Sequence, residues 1–189
     1  MQPNLLWIDG LWIALIAIWV ITAMNTKQAA RRLSGWPRWV QVGLTAAGAV
    51  LLFDRDLGVG WLGLRFLPED TAIAFLGLAM TASGIAFAVW ARFALGENWS
   101  SQVTLKQEHE LVHSGPYRLV RHPIYSGILL ALLGTAIFVG QLRGLIAFGL
   151  FLAGFWLKAR MEEALMLQQF GDQYRRYQRE VKALIPFVL

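Results

Sequence analysis

The chain has 189 residues, of which 57% are hydrophobic and only 15% are charged. Soluble domains carry about 25% charged residues, so this composition excludes an ordinary water-soluble protein and indicates contact with lipid. The chain contains no cysteine, which excludes disulfides, thiolate metal sites and a cysteine nucleophile. The net charge of +5 is compatible with a nucleic-acid partner or with basic loops beside a membrane, and the distribution of the charges decides between the two.

Five apolar segments are long enough, or nearly long enough, to cross a bilayer, which requires roughly 20 helical residues. They are residues 5–24, 39–53, 71–91, 123–142 and 144–157. The first has neither a positive n-region nor a small-residue cleavage site, so we expect a helix rather than a signal peptide. The last two are almost contiguous and predict a tight helical hairpin. The sequence therefore predicts an all-α integral membrane protein with five transmembrane helices.

The basic residues predict the orientation of these helices. Fourteen of the seventeen lie after the first span, between the third and fourth spans, or after the fifth span. Because basic loops stay in the cytoplasm, we expect the N-terminus outside and the C-terminus inside. The same asymmetry accounts for the high isoelectric point of the chain, about 10.0, without a nucleic-acid partner.

The polar residues gather in two of the cytoplasmic segments. All three histidines lie within residues 96–122, and the tail 158–189 is the other large polar block. The predicted hairpin 123–157 brings the two segments together. We therefore expect one membrane domain, with three spans in residues 1–95 and a catalytic half in residues 96–189.

The tail has the spacing of an amphipathic helix. Its apolar positions are Phe170, Tyr174, Tyr177, Val181 and Leu184. Such a helix can lie on anionic headgroups or form a wall over a polar site. The pattern alone favours the first interpretation, and the two are compatible.

The fourth span begins with the sequence RHPIYSG at residues 121–127. Pro123 suits the first position of a helix, and His122 and Tyr125 share one helical face. The helix start is also suited to a carboxylate ligand. The alternative is that Arg121 and His122 only anchor the helix among the headgroups.

Two adjacent carboxylates, Glu162 and Glu163, follow the fifth span. Carboxylates beside a membrane helix are costly unless they are solvated or paired. Capping does not explain them, since a helix C-terminus favours cations. They predict a cationic ligand.

Residues 109–113 match the zinc-protease pattern H-E-x-x-H, which requires both histidines on one helix and a third ligand. Ser114, Gly115 and Pro116 follow at once and would break that helix. We therefore rank a zinc metalloprotease as a remote alternative and predict no metal site.

The segment 102–127, with HELV, GPYR and RHPIYSG, resembles the isoprenylcysteine carboxyl methyltransferase family, and the tail resembles it through the glutamate pair, Phe170-Gly171 and Ile185-Pro186. The compact chain looks like the prokaryotic members, which implies the inner membrane of a bacterium or archaeon. The resemblance implies that S-adenosylmethionine is bound by one of the two glutamates and by a larger set of residues. The residues in that set are Gln102, His109, Leu111, Val112, Tyr117, His122, Pro123 and Tyr125. We add Arg121 and Glu163 as further candidates for binding the cofactor.

The resemblance further implies that Arg160 meets the carboxylate of a lipid-like or prenylated acceptor. A carboxylate acceptor needs no base, whereas an amine acceptor would require Glu162 or Glu163 as base. The catalytic candidates are therefore Arg160, Glu162 and Glu163. The alternatives are a phospholipid N-methyltransferase, a sterol-type membrane reductase using NADPH, and a non-catalytic scaffold. The sequence leaves the oligomeric state open.

Overall fold

The computed structural model describes residues 4–23, 29–32, 36–96, 104–106 and 111–185. Within these ranges the chain is built mainly from six α-helices. They are α1 (Leu5–Ala23), α2 (Trp36–Phe53), α3 (Thr71–Leu95), α4 (Pro123–Val139), α5 (Leu142–Phe170) and α6 (Asp172–Glu180). Two short strands, β1 (Ala29–Arg32) and β2 (Thr104–Lys106), form an antiparallel pair.

Each of the five predicted spans coincides with one of the helices α1 to α5. Three of these helices, α1, α3 and α5, are long and apolar enough to cross a membrane, and α4 is apolar but shorter. The predicted helical architecture is therefore confirmed. The count of five spans stays a prediction.

The tightest helix pair is α3 with α4, and it depends on glycine. A Cβ atom on Gly84 would lie 2.5 Å from the carbonyl oxygen of Gly127, and one on Gly127 would lie 2.6 Å from the carbonyl oxygen of Gly84. Small residues let membrane helices approach until their backbones touch. This pair carries the start of α4, where the polar residues lie.

At the opposite end of the bundle a buried arginine joins α5 to α2. Arg143 Nη1 donates to the carbonyl oxygens of Leu51, Leu52 and Asp54 at 3.1, 3.2 and 2.8 Å. These carbonyls lie at or just beyond the C-terminus of α2, where acceptors lack helical partners. This contact fixes the start of α5 against the C-terminal end of α2.

The last third of the chain differs from the prediction in two respects. The helix predicted to end near residue 157 continues to Phe170, because residues 158–170 contain no glycine or proline and are rich in strong helix formers. The tail is not one helix, since Gly171 takes a positive φ of 50° and separates α5 from the short α6. Glu162 and Glu163 therefore lie inside a long helix and not at its end.

Candidate active site

The candidate site lies where the start of α4 meets the last third of α5. His122 immediately precedes α4 and Pro123 is its first residue, as predicted. Both are buried, as is Tyr125 one turn later. The His122 and Tyr125 rings lie nearly parallel, with centroids 5.4 Å apart and planes at 6°. The shared face predicted from their spacing is present in the structure.

Glu163 faces the start of α4 and is surrounded by protein donors. Arg121 donates from Nε and Nη2 to Oε1 at 2.8 and 2.6 Å. His122 Nε2 lies 3.2 Å from the same oxygen, and Gln178 of α6 donates to Oε2 at 3.1 Å. Only 6% of Glu163 is exposed. Both carboxylate oxygens are therefore engaged within the protein.

Glu162 points to the other side of the His122 ring and remains partly open. Tyr125 donates its hydroxyl to Glu162 Oε1 at 2.5 Å, and His122 Nδ1 lies 3.6 Å from Oε2. The Glu162 side chain keeps 23% of its surface exposed. Of the two glutamates, Glu162 is thus the one available to a bound molecule.

The protonation of His122 depends on both glutamates. Burial alone would lower the pKa of this imidazole, but hydrogen bonds to Glu162 and Glu163 and the charges of both carboxylates outweigh burial, so the pKa is raised. His122 therefore carries a positive charge over a wider pH range than a free histidine. That charge compensates carboxylates that would otherwise be costly to bury.

An aromatic row leads from this polar cluster into the apolar part of α5. Tyr125 stacks on Phe155 at a centroid distance of 5.1 Å, and Phe155 stacks on Phe151 at 6.2 Å. Lys158 Nζ lies 5.2 Å from the centroid of the Tyr125 ring. Lys158 and Phe155 were not among the predicted site residues. The i, i+4 spacing of Lys158 and Glu162 was a signal for the lysine.

The C-terminal segment covers the start of α4 through backbone contacts. The amides of Arg121 and His122 donate to the carbonyl oxygens of Lys182 and Ala183 at 2.8 and 3.0 Å. Ser126 Oγ donates to the Leu184 carbonyl at 2.5 Å. We call residues 181–185 the C-terminal clasp. The clasp thus accepts the amide hydrogens of the two residues that immediately precede α4.

Other predicted residues lie around this cluster or outside the described ranges. Tyr117 is buried, burial raises the pKa of its hydroxyl, and its carbonyl accepts a hydrogen bond of 2.5 Å from the Tyr177 hydroxyl. Leu111 and Val112 are half-buried. Gln102 and His109 lie outside the described residues.

Arg160 does not point into the cluster. It is exposed, and its guanidinium lies 5.9 Å from the centroid of the Trp156 ring. Among the basic residues of α5, the structure therefore places Lys158 rather than Arg160 beside Tyr125.

The zinc interpretation requires a helix that carries both histidines. His113 is exposed and its Nδ1 donates to the Leu111 carbonyl at 3.0 Å, in a segment, residues 111–114, that is not helical. His109 and Glu110 lie outside the described residues. The described half of the motif lacks the geometry of a zinc-protease helix.

The chemistry of the described residues fits a cationic cofactor. Glu162 offers a partly exposed carboxylate, a group that attracts a sulfonium or an ammonium. A positively charged methyl donor would find charge compensation here.

Comparison with known proteins shows which proteins the chain resembles. The family model described as "Phospholipid methyltransferase" matches residues 72–173, which is more than half of the chain. The chain is 32% identical over 125 residues to a probable protein-S-isoprenylcysteine O-methyltransferase of Oryza sativa subsp. indica, covering 65% of each protein. It is 35% identical over 96 residues to the Schizosaccharomyces pombe enzyme, covering 49% of this chain and 41% of that protein.

A solved structure shows the same likeness. The eukaryotic intramembrane Ras methyltransferase, an isoprenylcysteine carboxyl methyltransferase, superposes with a TM-score of 0.52 and 25% identity, covering 82% of this chain and 55% of the other. The chain thus spans about two thirds, or less, of the length of these relatives. The resemblance derived from the motifs is confirmed. The chain belongs to the phospholipid methyltransferase family of membrane proteins.

Proposed function

We propose that this protein is an S-adenosylmethionine-dependent methyltransferase that acts on a lipid-like acceptor at the cytoplasmic face of the membrane. The observation that carries the proposal is Glu162, a partly exposed carboxylate held between Tyr125 and His122 beside the start of α4. The family membership and the methyltransferase relatives support it.

The donor would supply an activated methyl group, and the residues of the site would supply binding and orientation. Glu162 would compensate the cationic end of the donor, while Tyr125 and Tyr117 would enclose it. The set surrounding the donor would also include Leu111, Val112, His122 and Pro123 together with Gln102 and His109, with Arg121 and Glu163 behind them. Because methyl transfer is an in-line displacement, correct placement of donor and acceptor provides much of the rate.

The acceptor would enter from the bilayer, since the site adjoins the aromatic row of Tyr125, Phe155 and Phe151. We propose a prenylated or lipid-like carboxylate as acceptor, as for the isoprenylcysteine relatives. A phospholipid amine is the second candidate, favoured by the family match, and would use Glu162 as the base. A nicotinamide-dependent reductase is the alternative that the binding test below distinguishes from a methyltransferase.

We further propose five spans in one membrane domain, with the N-terminus outside the cell and the C-terminus in the cytoplasm of a bacterium or archaeon. The basic loops support this arrangement. It places the start of α4, the end of α5 and α6 together on the cytoplasmic side.

The proposal is tested by ligand binding in detergent. S-adenosylmethionine and S-adenosylhomocysteine should raise the unfolding temperature of the purified protein, and NADPH should not, because only the first two carry a cationic end for Glu162. Glu162→Gln should weaken S-adenosylhomocysteine binding by about tenfold. The matched control is Glu69→Gln, an exposed position outside the site, which should bind like the parent. Stabilisation by NADPH alone would favour a reductase.

The group that orients an acceptor carboxylate is tested by two variants on α5. If Arg160 has this role, as the family resemblance implies, Arg160→Ala should lose turnover while keeping S-adenosylhomocysteine affinity. The position of Lys158 against Tyr125 leads us to expect the larger loss, about tenfold or more, from Lys158→Ala. A loss of turnover confined to Arg160→Ala would assign the orienting role to Arg160. No loss of turnover in either variant would favour the amine acceptor.

A further inference from the structure

Glu163 is the point at which three separate parts of the chain meet. Its carboxylate binds Arg121 and His122 before α4, and Gln178 on α6. Arg121 in turn donates from Nη1 to the carbonyl oxygens of Gln178, at 3.3 Å, and of Val181. One ion pair thus links α5, the start of α4, α6 and the first residue of the C-terminal clasp.

Besides this link, the clasp is held by backbone hydrogen bonds and by two buried side chains. Its carbonyls accept from the amides of Arg121 and His122 and from Ser126 Oγ, and its Ala183 and Leu184 side chains are buried. The Arg121–Glu163 pair, with side chains 10% and 8% exposed, holds the point where the clasp leaves α6.

The same pair determines where the imidazole of His122 lies. The backbone amide of His122 donates to the clasp. In the His122 ring, Nε2 contacts Glu163 and Nδ1 faces Glu162. Removing the Glu163 charge would loosen the clasp at Val181 and remove one of the two carboxylates that hold the His122 ring. Glu163 therefore acts on the site through His122 and the clasp.

We propose that Glu163 and Arg121 are positioning residues that fasten the C-terminal clasp across the start of α4 and so fix His122 and Glu162, and that neither side chain binds the methyl donor directly. The part of this inference that concerns the donor rests on the function proposed above. The part that concerns the clasp does not.

Hydrogen exchange measures the clasp without any ligand. The amides of Arg121 and His122 are protected by the clasp carbonyls, and Pro123 contributes no amide hydrogen. We expect Glu163→Gln to accelerate exchange in peptides covering residues 120–126 by on the order of tenfold, with peptides of residues 127–137 unchanged. Glu162→Gln, the same change one residue earlier, should leave the exchange of residues 120–126 as in the parent.

Ligand affinity then separates a positioning role from direct contact. Glu163→Gln should weaken S-adenosylhomocysteine binding only together with faster hydrogen exchange. Arg121→Gln should change binding and exchange in the same way, and Arg121→Lys should do so less, since a lysine keeps the charge but not the bidentate pairing. Weakened binding with unchanged exchange would show that Glu163 contacts the ligand and would overturn the inference. Unchanged exchange and unchanged binding would overturn it as well.

The pH dependence of binding gives a readout that a purely structural contact would not move. Several charged or titratable groups face His122 or its partners: Arg121 beside it, Tyr125 on α4, Lys158, Glu162 and Glu163 on α5, and Tyr174 and Tyr177 on α6. Glu163 raises the pKa of His122, so Glu163→Gln should move the midpoint of the S-adenosylhomocysteine binding profile to lower pH. An unmoved midpoint would contradict the route through His122.

A milder variant keeps the inference testable if Glu163→Gln does not fold. Gln178→Ala removes one of the three partners of Glu163 and leaves the ion pair in place. We expect about threefold faster exchange at residues 120–126, and parent-like exchange would count against the clasp. If S-adenosylhomocysteine binds none of these proteins, the proposed function fails while the exchange results still decide the clasp.

Discussion

At the scale of single residues, two adjacent glutamates have different surroundings because successive helical positions point about 100° apart. Glu163 turns toward Arg121 and Gln178, while Glu162 turns toward Tyr125 and keeps part of its surface exposed. His122 lies between the two carboxylates. The charge of this histidine should therefore affect the stability of the whole cluster.

The raised pKa of His122 makes a prediction about pH. A group with a raised pKa in the folded state stabilises the fold fully below its unfolded pKa, near 6.5, and this stabilisation is lost as the pH rises through the folded value. The difference in unfolding temperature between the parent and His122→Gln should thus be larger at pH 6 than at pH 9. Thermal unfolding in detergent across this range checks it. A difference that does not change with pH would mean that His122 is neutral throughout.

At the scale of secondary-structure elements, the α3–α4 pair supports the site, because α4 presents His122 and Tyr125 at its start. The two helices touch through glycine backbones at Gly84 and Gly127. A side chain at either position would push α3 and α4 apart. Arg143 holds α5 against α2, so α5 could not move with a displaced α4 without losing its contacts with α2.

Gly84→Leu should therefore destabilise the protein by at least about 2 kcal/mol, the usual cost of overpacking. The matched control is Gly149→Leu on α5, where a Cβ atom meets no atom within 4 Å. Both changes replace a helical glycine by the same better helix former, so their difference isolates the packing. Unfolding in mixed micelles measures it. Equal stabilities of the two variants would contradict the close α3–α4 contact.

At the scale of the whole molecule, the open question is how many helices cross the membrane. Helix α2 has 18 residues and α4 has 17, which correspond to about 27 and 26 Å at 1.5 Å per residue. Both values are slightly less than the hydrocarbon thickness of about 30 Å. Flanking residues or local thinning can make up such a mismatch at modest cost.

We predict that both helices cross. Reporter fusions after Ser34, Arg65, Lys106, Arg143 and Leu189 should therefore report inside, outside, inside, outside and inside, because the basic loops alternate in this order. The fusions after Arg65 and Arg143 test α2 and α4 most directly. A cytoplasmic signal at Arg143 would remove the α4–α5 hairpin from the membrane and contradict the proposed topology.

The sequence by itself determined the approximate positions of α1 to α5, the class of membrane protein and the family, and it named most of the polar residues of the candidate site. Hydropathy and charge act locally, so runs of apolar residues and the RHPIYSG motif were sufficient to find α1 to α5 and the face shared by His122 and Tyr125. Only the tertiary structure distinguished Glu162 from Glu163, turned Arg160 outward and placed Lys158 beside Tyr125. It also revealed the clasp, whose contacts are made by the carbonyls of Lys182, Ala183 and Leu184. Every residue has a carbonyl, so the contacts of the clasp leave no mark in the pattern of residue types. The surroundings of each side chain on α5 depend on which other elements pack beside it, and the local pattern of residue types does not give that packing.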